Sequence, residues 1–203
     1  MSGVGKATIA PNTALVSLGV TNTATTVASA QNQANSIINT VTADLKTLGI
    51  EDKNIQTSNY NVSPNYDYTA GQKITGYTVS ENLEVKVTPL DKINSVIDAA
   101  TKDGANIVGG VTFTLDDKTK SDLEEKARTQ AITNAKQKAQ SLAGASGLQL
   151  GKIIDVQENN TSQPFPMVDS MLRVGRGDAA NKTVVSPGET TVQTTVTLSY
   201  ETF

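Results

Sequence analysis

The sequence contains no cysteine, no histidine and no tryptophan, and it has only eight aromatic residues in 203. Without cysteine there is no disulfide framework, no thiolate metal site and no thiol nucleophile. Without histidine as well, zinc sites of the usual nitrogen and sulfur kind and the usual catalytic triads cannot be built. Charge of one sign is also lacking. Seventeen basic residues face twenty acidic ones, a net −3 with a pI near 5.0, so the electrostatic footprint of a nucleic-acid binder is missing. No apolar run approaches a membrane span, and the start, Met1-Ser2-Gly3-Val4-Gly5-Lys6, has no hydrophobic leader core. The expectation is a chain without a signal peptide of its own, with no membrane span, no nucleic-acid partner, no metal and no cofactor. What is abundant is threonine, 28 residues, and asparagine, 16 residues. The length fits one large domain or two small lobes and would bury about 70% of its unfolded surface.

Along the chain the hydrophobic period changes repeatedly. Residues 14–20 read as a strand rich in apolar and β-branched side chains. Thr21, Asn22 and Thr23 then offer capping oxygens for a helix of about 24 residues. Val27, Ala30, Ala34, Ile37, Val41 and Leu48 form its stripe, widened by Ile38 and Leu45, and Gly49 ends it. From 55 to 68 the period is two, with Tyr60, Val62, Pro64, Tyr66 and Tyr68 on one face and Ile55, Thr57 and Asn59 on the other. Residues 69–72 are a turn, and 73–87 form the second arm of a hairpin far longer than usual. A short helix over 90–102, a strand over 106–115 and a long helix over 118–143 follow. The long helix carries a stripe of Leu123, Ala127, Ala131, Ala135, Ala139 and Leu142, with Gly144 and Gly147 ending it. Residues 150–157 form a strand, 158–186 show no period and read as a long surface loop, and 192–200 close the chain as a strand.

The order β-α-β-β-α-β-α-β predicts an α+β fold, mostly antiparallel, with three helices in a single domain. It admits two lobes sharing elements, about 14–70 with 150–203, and about 73–149.

Few motifs survive a weighing against chance. Gly5-Lys6 lacks the first glycine and the hydroxyl residue of a phosphate loop, so it is rejected. Asp116, Asp117, Asp122, Glu124 and Glu125 do not match a calcium loop and read as favourable charges at a helix start. Arg176-Gly177-Asp178 and the Asn-x-Ser/Thr triplets at Asn61, Asn159, Asn160 and Asn181 are chance matches in such a composition. No nucleophile elbow is present, and any catalytic carboxylate pair chosen from twenty acids would be arbitrary.

Tyrosine placement says more. Tyr60, Tyr66, Tyr68 and Tyr77, four of the five, fall in the long hairpin. They either pack on the helices as a satellite core or carry a self-association surface where the hairpin projects past the core.

The ordered set Gly49-Ile50, Ile55-Gln56-Thr57-Ser58-Asn59-Tyr60, Ile74-Thr75-Gly76-Tyr77, Leu90-Asp91-Lys92-Ile93, Gly104-Ala105-Asn106, Leu115-Asp116-Asp117, Ala127-Arg128 and Pro187-Gly188-Glu189 resembles the SIMPL-domain family of periplasmic immunogenic protein-like exported bacterial proteins. The resemblance implies an exported protein, periplasmic, cell-surface or extracellular, of α+β fold and without established catalysis. It also implies ring- or channel-like homo-oligomers and, for some members, a link to stress tolerance. It supplies no functional residues.

Three functions stay open at this point. The first is a non-enzymatic envelope protein that self-assembles. The second is a binding module for a small molecule or envelope glycan beside the long loop, and the third a carboxylate-dependent hydrolase.

Overall fold

The computed structural model describes residues 1–69, 71–159, 165–167 and 187–203. Its opening residues, where the sequence suggested no element, form strand β1 (Ser2–Ile9). The first expected strand is longer than the apolar run that announced it, β2 (Thr13–Ala24). Helix α1 (Val27–Thr47) comes next, then the hairpin of β3 (Ile55–Asp67) and β4 (Lys73–Val87). A turn of 3₁₀ helix leads into α2 (Ile93–Lys102), and strand β5 (Ile107–Thr114) precedes the long helix α3 (Asp117–Ser146). Strands β6 (Leu150–Asn159), β7 (Phe165–Met167) and β8 (Glu189–Thr202) complete the described chain. The class is α+β, with three helices and two antiparallel sheets among the described residues.

The chain divides into two compact units, Asn12–Thr114 and the pair Met1–Pro11 with Leu115–Phe203. The division expected from sequence, 14–70 with 150–203 against 73–149, differs from this. It would cut between β3 and β4, which pair with each other over their length in one sheet. The element that joins distant sequence is instead β1, which pairs with β8 from Ser2 opposite Thr197 to Ile9 opposite Thr190.

In the Asn12–Thr114 unit the strand order is β3-β4-β2-β5. Val16, Leu18 and Val20 of β2 and Val79, Leu83, Val85 and Val87 of β4 form one buried face, met by Ala30, Ala34, Ile38, Val41 and Leu45 of α1 and Val96 of α2. Each large side chain removed from water there contributes about 1.5–3 kcal/mol. Helix α1 is capped by Thr26, whose Oγ1 accepts from the Ser29 amide at 3.2 Å. Thr21 and Thr23 are not the caps, because their hydroxyls pair across the sheet with Ser80 and Thr78, both at 2.9 Å. Gly49 does end the helix at φ 84°, and the next amide, Ile50, returns to the Leu45 carbonyl at 3.0 Å.

In the other unit β8 is the central strand, with β1 along one side and β6 and β7 along the other. Helix α3 lies over β1 and β8 and leaves β6 largely uncovered. Its stripe of Ala127, Ala131, Ala135 and Ala139 is buried as expected, but Leu142 is exposed and Gly144 lies inside the helix. Gly147, at φ 71°, ends it. Leu115 leaves the β5 line and packs with Leu123, Ala127 and Val192. The glycines of β1 have a steric purpose. A Cβ on Gly3 would stand 2.2 Å from the Ala131 carbonyl oxygen, and one on Gly5 1.9 Å from that of Ala127. Backbone meets backbone here, which accounts for Gly5-Lys6 without any phosphate.

The segment expected as a loop from 158 to 186 is partly strand. β6 runs on to Asn159, and Phe165–Met167 pairs with β8 as β7, which extends the same sheet side. Met171, Leu172 and the Arg176-Gly177-Asp178 tripeptide lie outside the described residues.

Candidate functional site

The hairpin is three strands wide only up to one row. Strand β2 ends at Ala24, which pairs with Tyr77, and Tyr77 pairs in turn with Pro64. Helix α1 begins three residues after Ala24 and packs back over β2 and β4. Beyond that row the rungs are Asn65 with Gly76, Tyr66 with Ile74 and Asp67 with Lys73. Three rungs of two-stranded ribbon extend about 10 Å at about 3.3 Å per residue. The projecting part is therefore shorter than the full arm length suggests.

Two bulges decide which side chains meet. Ser58 is an extra residue in β3, so Ile55 and Thr57, opposite Val85 and Leu83, share a face with Tyr60 and Val62, opposite Glu81 and Val79. The opposed faces expected from strict alternation are thereby corrected. Thr75 is an extra residue in β4, and it swings Ile74 onto the face of Tyr66. At the tip, Tyr68 is 72% exposed, Ile74 44% and Tyr66 39%. The rings of Tyr66 and Tyr68 lie 6.1 Å apart at 44°, a tilted aromatic pair. The turn is held by Asp67, whose Oδ1 accepts from the Thr69 amide at 2.8 Å and its hydroxyl at 2.6 Å. Those two hydrogen bonds, the hydroxyl first, hold the Asp67 carboxyl below its ordinary range.

The four hairpin tyrosines therefore do not make one surface. Tyr66 and Tyr68 sit together on the two-stranded tip. Tyr60 lies in the three-stranded part, with its hydroxyl accepting from Gln31 Nε2 of α1 at 3.0 Å, and half-buried Tyr77 pairs with Ala24 and Pro64. Tyr60 thus has a partner within the chain, whereas among the described residues the tip pair makes no hydrogen bond to a helix. Ile74 was missed in the sequence because alternation counted back from Tyr77 places it on the opposite face.

A second apolar feature lies in the other unit. A groove of about 290 Å³ runs between the last turns of α3 and strands β6 and β8, walled by Leu142, Leu148, Leu150, Leu198 and Tyr200. Next to it Ile153 pairs with Tyr200 and Val156 with Leu198, which puts both on the groove's side of the sheet. Neither is covered by α3, and Ile154 and Phe203 are exposed nearby.

Charged groups are spread thinly. Asp116 caps α3 by accepting from the Thr119 amide at 2.6 Å, and Lys118 pairs with Asp122 at 2.7 Å. Among the described residues no group of three or more acidic side chains could hold a metal ion. One carboxyl pair does form. Burial, then the neighbouring Asp44 charge, raises the Asp103 carboxyl above its ordinary range. Neither residue lines the groove.

Comparison of the sequence with known proteins points to one family. The family described as "SIMPL: Protein of unknown function (DUF541)" matches residues 1–200. The chain is 30% identical, over 99% of its length and 83% of the relative's, to the 26 kDa periplasmic immunogenic protein of Brucella melitensis. It is 33% identical, over 88% of its length and 71% of the relative's, to the uncharacterized protein YggE of Escherichia coli K12. No helix among the described residues is long and apolar enough to cross a membrane. The chain belongs to the SIMPL (DUF541) family.

Proposed function

We propose that this protein is an exported, non-enzymatic assembly protein of the bacterial envelope, built to self-associate through its hairpin tip. The observation that carries the reading is the tip itself. Two tyrosines and an isoleucine are held in water on a ribbon that has lost its third strand. Such a ribbon leaves unpaired strand edges and an apolar face, which disfavours a lone chain and suits a closed assembly. The periplasmic relative supports export to that compartment, and the missing histidine and cysteine support a role without catalysis. Stress tolerance, which the family resemblance implies for some members, is a role for the assembled form.

The test is mass in solution. Light scattering of the wild type should give a multiple of 21.3 kDa, and Tyr66→Ser with Tyr68→Ser should lower it without unfolding the chain. A monomeric wild type at high concentration sinks the proposal. A second reading, a binding module, is favoured by the groove beside Leu148 and Tyr200. A small molecule or glycan that raises the melting temperature of a monomer would favour that reading.

A further inference from the structure

We infer that the hairpin tip of one copy seats in the α3–β6–β8 groove of a second copy, a head-to-tail contact that uses two different surfaces of the same chain. The inference rests on the self-association reading and names the two surfaces it brings together. One is convex, carrying Tyr66, Tyr68 and Ile74 on a narrow ribbon, and the other is concave, with about 290 Å³ of space between apolar walls.

Area and shape together decide between this pairing and its rivals. Tyrosines offer roughly 150–250 Å² each, so the tip at its observed exposures presents on the order of 300 Å² of apolar surface. The groove rim, with Leu142, Leu148, Ile153, Ile154, Val156 and Phe203 each about half exposed or more, presents on the order of 500 Å². Together they give about 800 Å². Since apolar atoms make up about 57% of a typical interface, the whole contact would bury about 1,400 Å². That lies inside the 1,200–2,000 Å² of a stable complex.

The symmetric alternatives are worse. Tip against tip would bury about 600 Å² of apolar surface and about 1,050 Å² in all, below that class, and would leave both grooves open. Groove against groove has area enough, about 1,000 Å² of apolar surface and about 1,750 Å² in all, but it sets one concavity on another, so neither is filled, and both tips stay in water. Only the tip in the groove covers both patches with one contact. A contact between unlike surfaces repeats from copy to copy, and it closes into a ring when the rotation allows.

The absence of cysteine makes the test clean. Tyr68→Cys and Leu148→Cys are prepared as separate proteins, both at exposed positions, with melting curves to confirm folding. Each is treated with a short bis-maleimide alone, and then the two are mixed and treated again. The expected result is a two-chain product several-fold more abundant in the mixture than in either protein alone. Equal or lower yield in the mixture overturns the tip-in-groove contact while self-association stands, provided that the wild type scatters as an oligomer. A monomeric wild type that cross-links nowhere overturns both. As a second reading of the same contact, Leu148→Glu should lower the oligomer mass as far as the double tyrosine change does, and combining them should lower it no further. A groove variant that keeps the wild-type mass counts against the contact.

Discussion

The two units solve the same problem, covering one face of an antiparallel sheet, by opposite means. In the Asn12–Thr114 unit, two helices meet the sheet through Ile38, Val41, Leu45, Ile93 and Val96 as well as alanines, and one continuous cluster of eighteen buried apolar residues results. In the other unit a single helix lays alanines on the glycines of β1 and on Val192, Val196 and Leu198 of β8, with its packed side chains in two clusters of four. The first arrangement gains from the area of branched side chains and tolerates local adjustment. The second gains from backbone proximity, so its tolerance is set by hard contacts between main-chain atoms. It also cannot extend its cover, since a close-lying helix spans only two strands, and β6 with its isoleucines is left open. The exposed groove is thus a by-product of how tightly the helix sits.

That contrast can be broken most directly at Gly5. Replacing it with valine places a side chain where the Ala127 carbonyl oxygen already lies, at 1.9 Å from the first added carbon. The expected cost is about 3 kcal/mol or more, enough to unfold the glycine-built unit and leave the other intact. Calorimetry should then show one surviving transition. A variant that melts like the wild type would mean that α3 can slide away from β1 at little cost.

The converse change falls on the other side. Leu18, fully buried in the large cluster, should cost roughly 2–5 kcal/mol when changed to alanine, and the loss should appear in the Asn12–Thr114 unit. Hydrogen exchange resolved by strand is the measurement. Faster exchange confined to β2, β4 and α1 sharpens the contrast, and equal acceleration in β1 and β8 would show that the two units melt as one.

The smallest effect concerns pH. Burial and the Asp44 charge raise the Asp103 carboxyl, so the folded chain holds that proton more tightly than the unfolded one. The stability that the protonated form brings is present below the ordinary aspartate range and is lost as pH rises through the raised value. Asp103→Asn should therefore melt slightly higher than wild type at pH 7 and no higher at pH 3. A difference that persists at pH 3 would point to packing and not to charge.

How much of this was legible beforehand depends on which force set each feature. The stripes of α1 and α3 were legible because helical period and burial coincide, and Ala127, Ala131, Ala135 and Ala139 are buried where the spacing puts them. The hairpin arms were legible because alternation is strong over both. Strand β1 was not, since two glycines in its first few residues lower strand propensity, and their reason lies in a helix more than a hundred residues away. The bulges at Ser58 and Thr75 leave no local mark, yet each reverses the facing of the residues beyond it. This is why Ile74 was overlooked at the tip while Tyr66 and Tyr68 were found. The groove was invisible for a similar reason, because Leu142 fits the buried stripe by spacing, and only the narrow reach of α3 exposes it.

The pairing of β1 with β8 also sets an order of events during folding. The Asn12–Thr114 unit is one uninterrupted stretch, so it can close without any residue beyond β5. Strand β1 is separated from its partner by that whole unit, so Ser2 must find Thr197 across it in sequence. Until β8 is in place it is an unpaired strand with nothing correct to bind. Its glycines make it a poor competitor for the edges of β3 and β5 during that wait, since they weaken strand formation until a helix is present to reward them. The residues that let α3 approach so closely in the finished protein also make premature pairing of β1 less favourable.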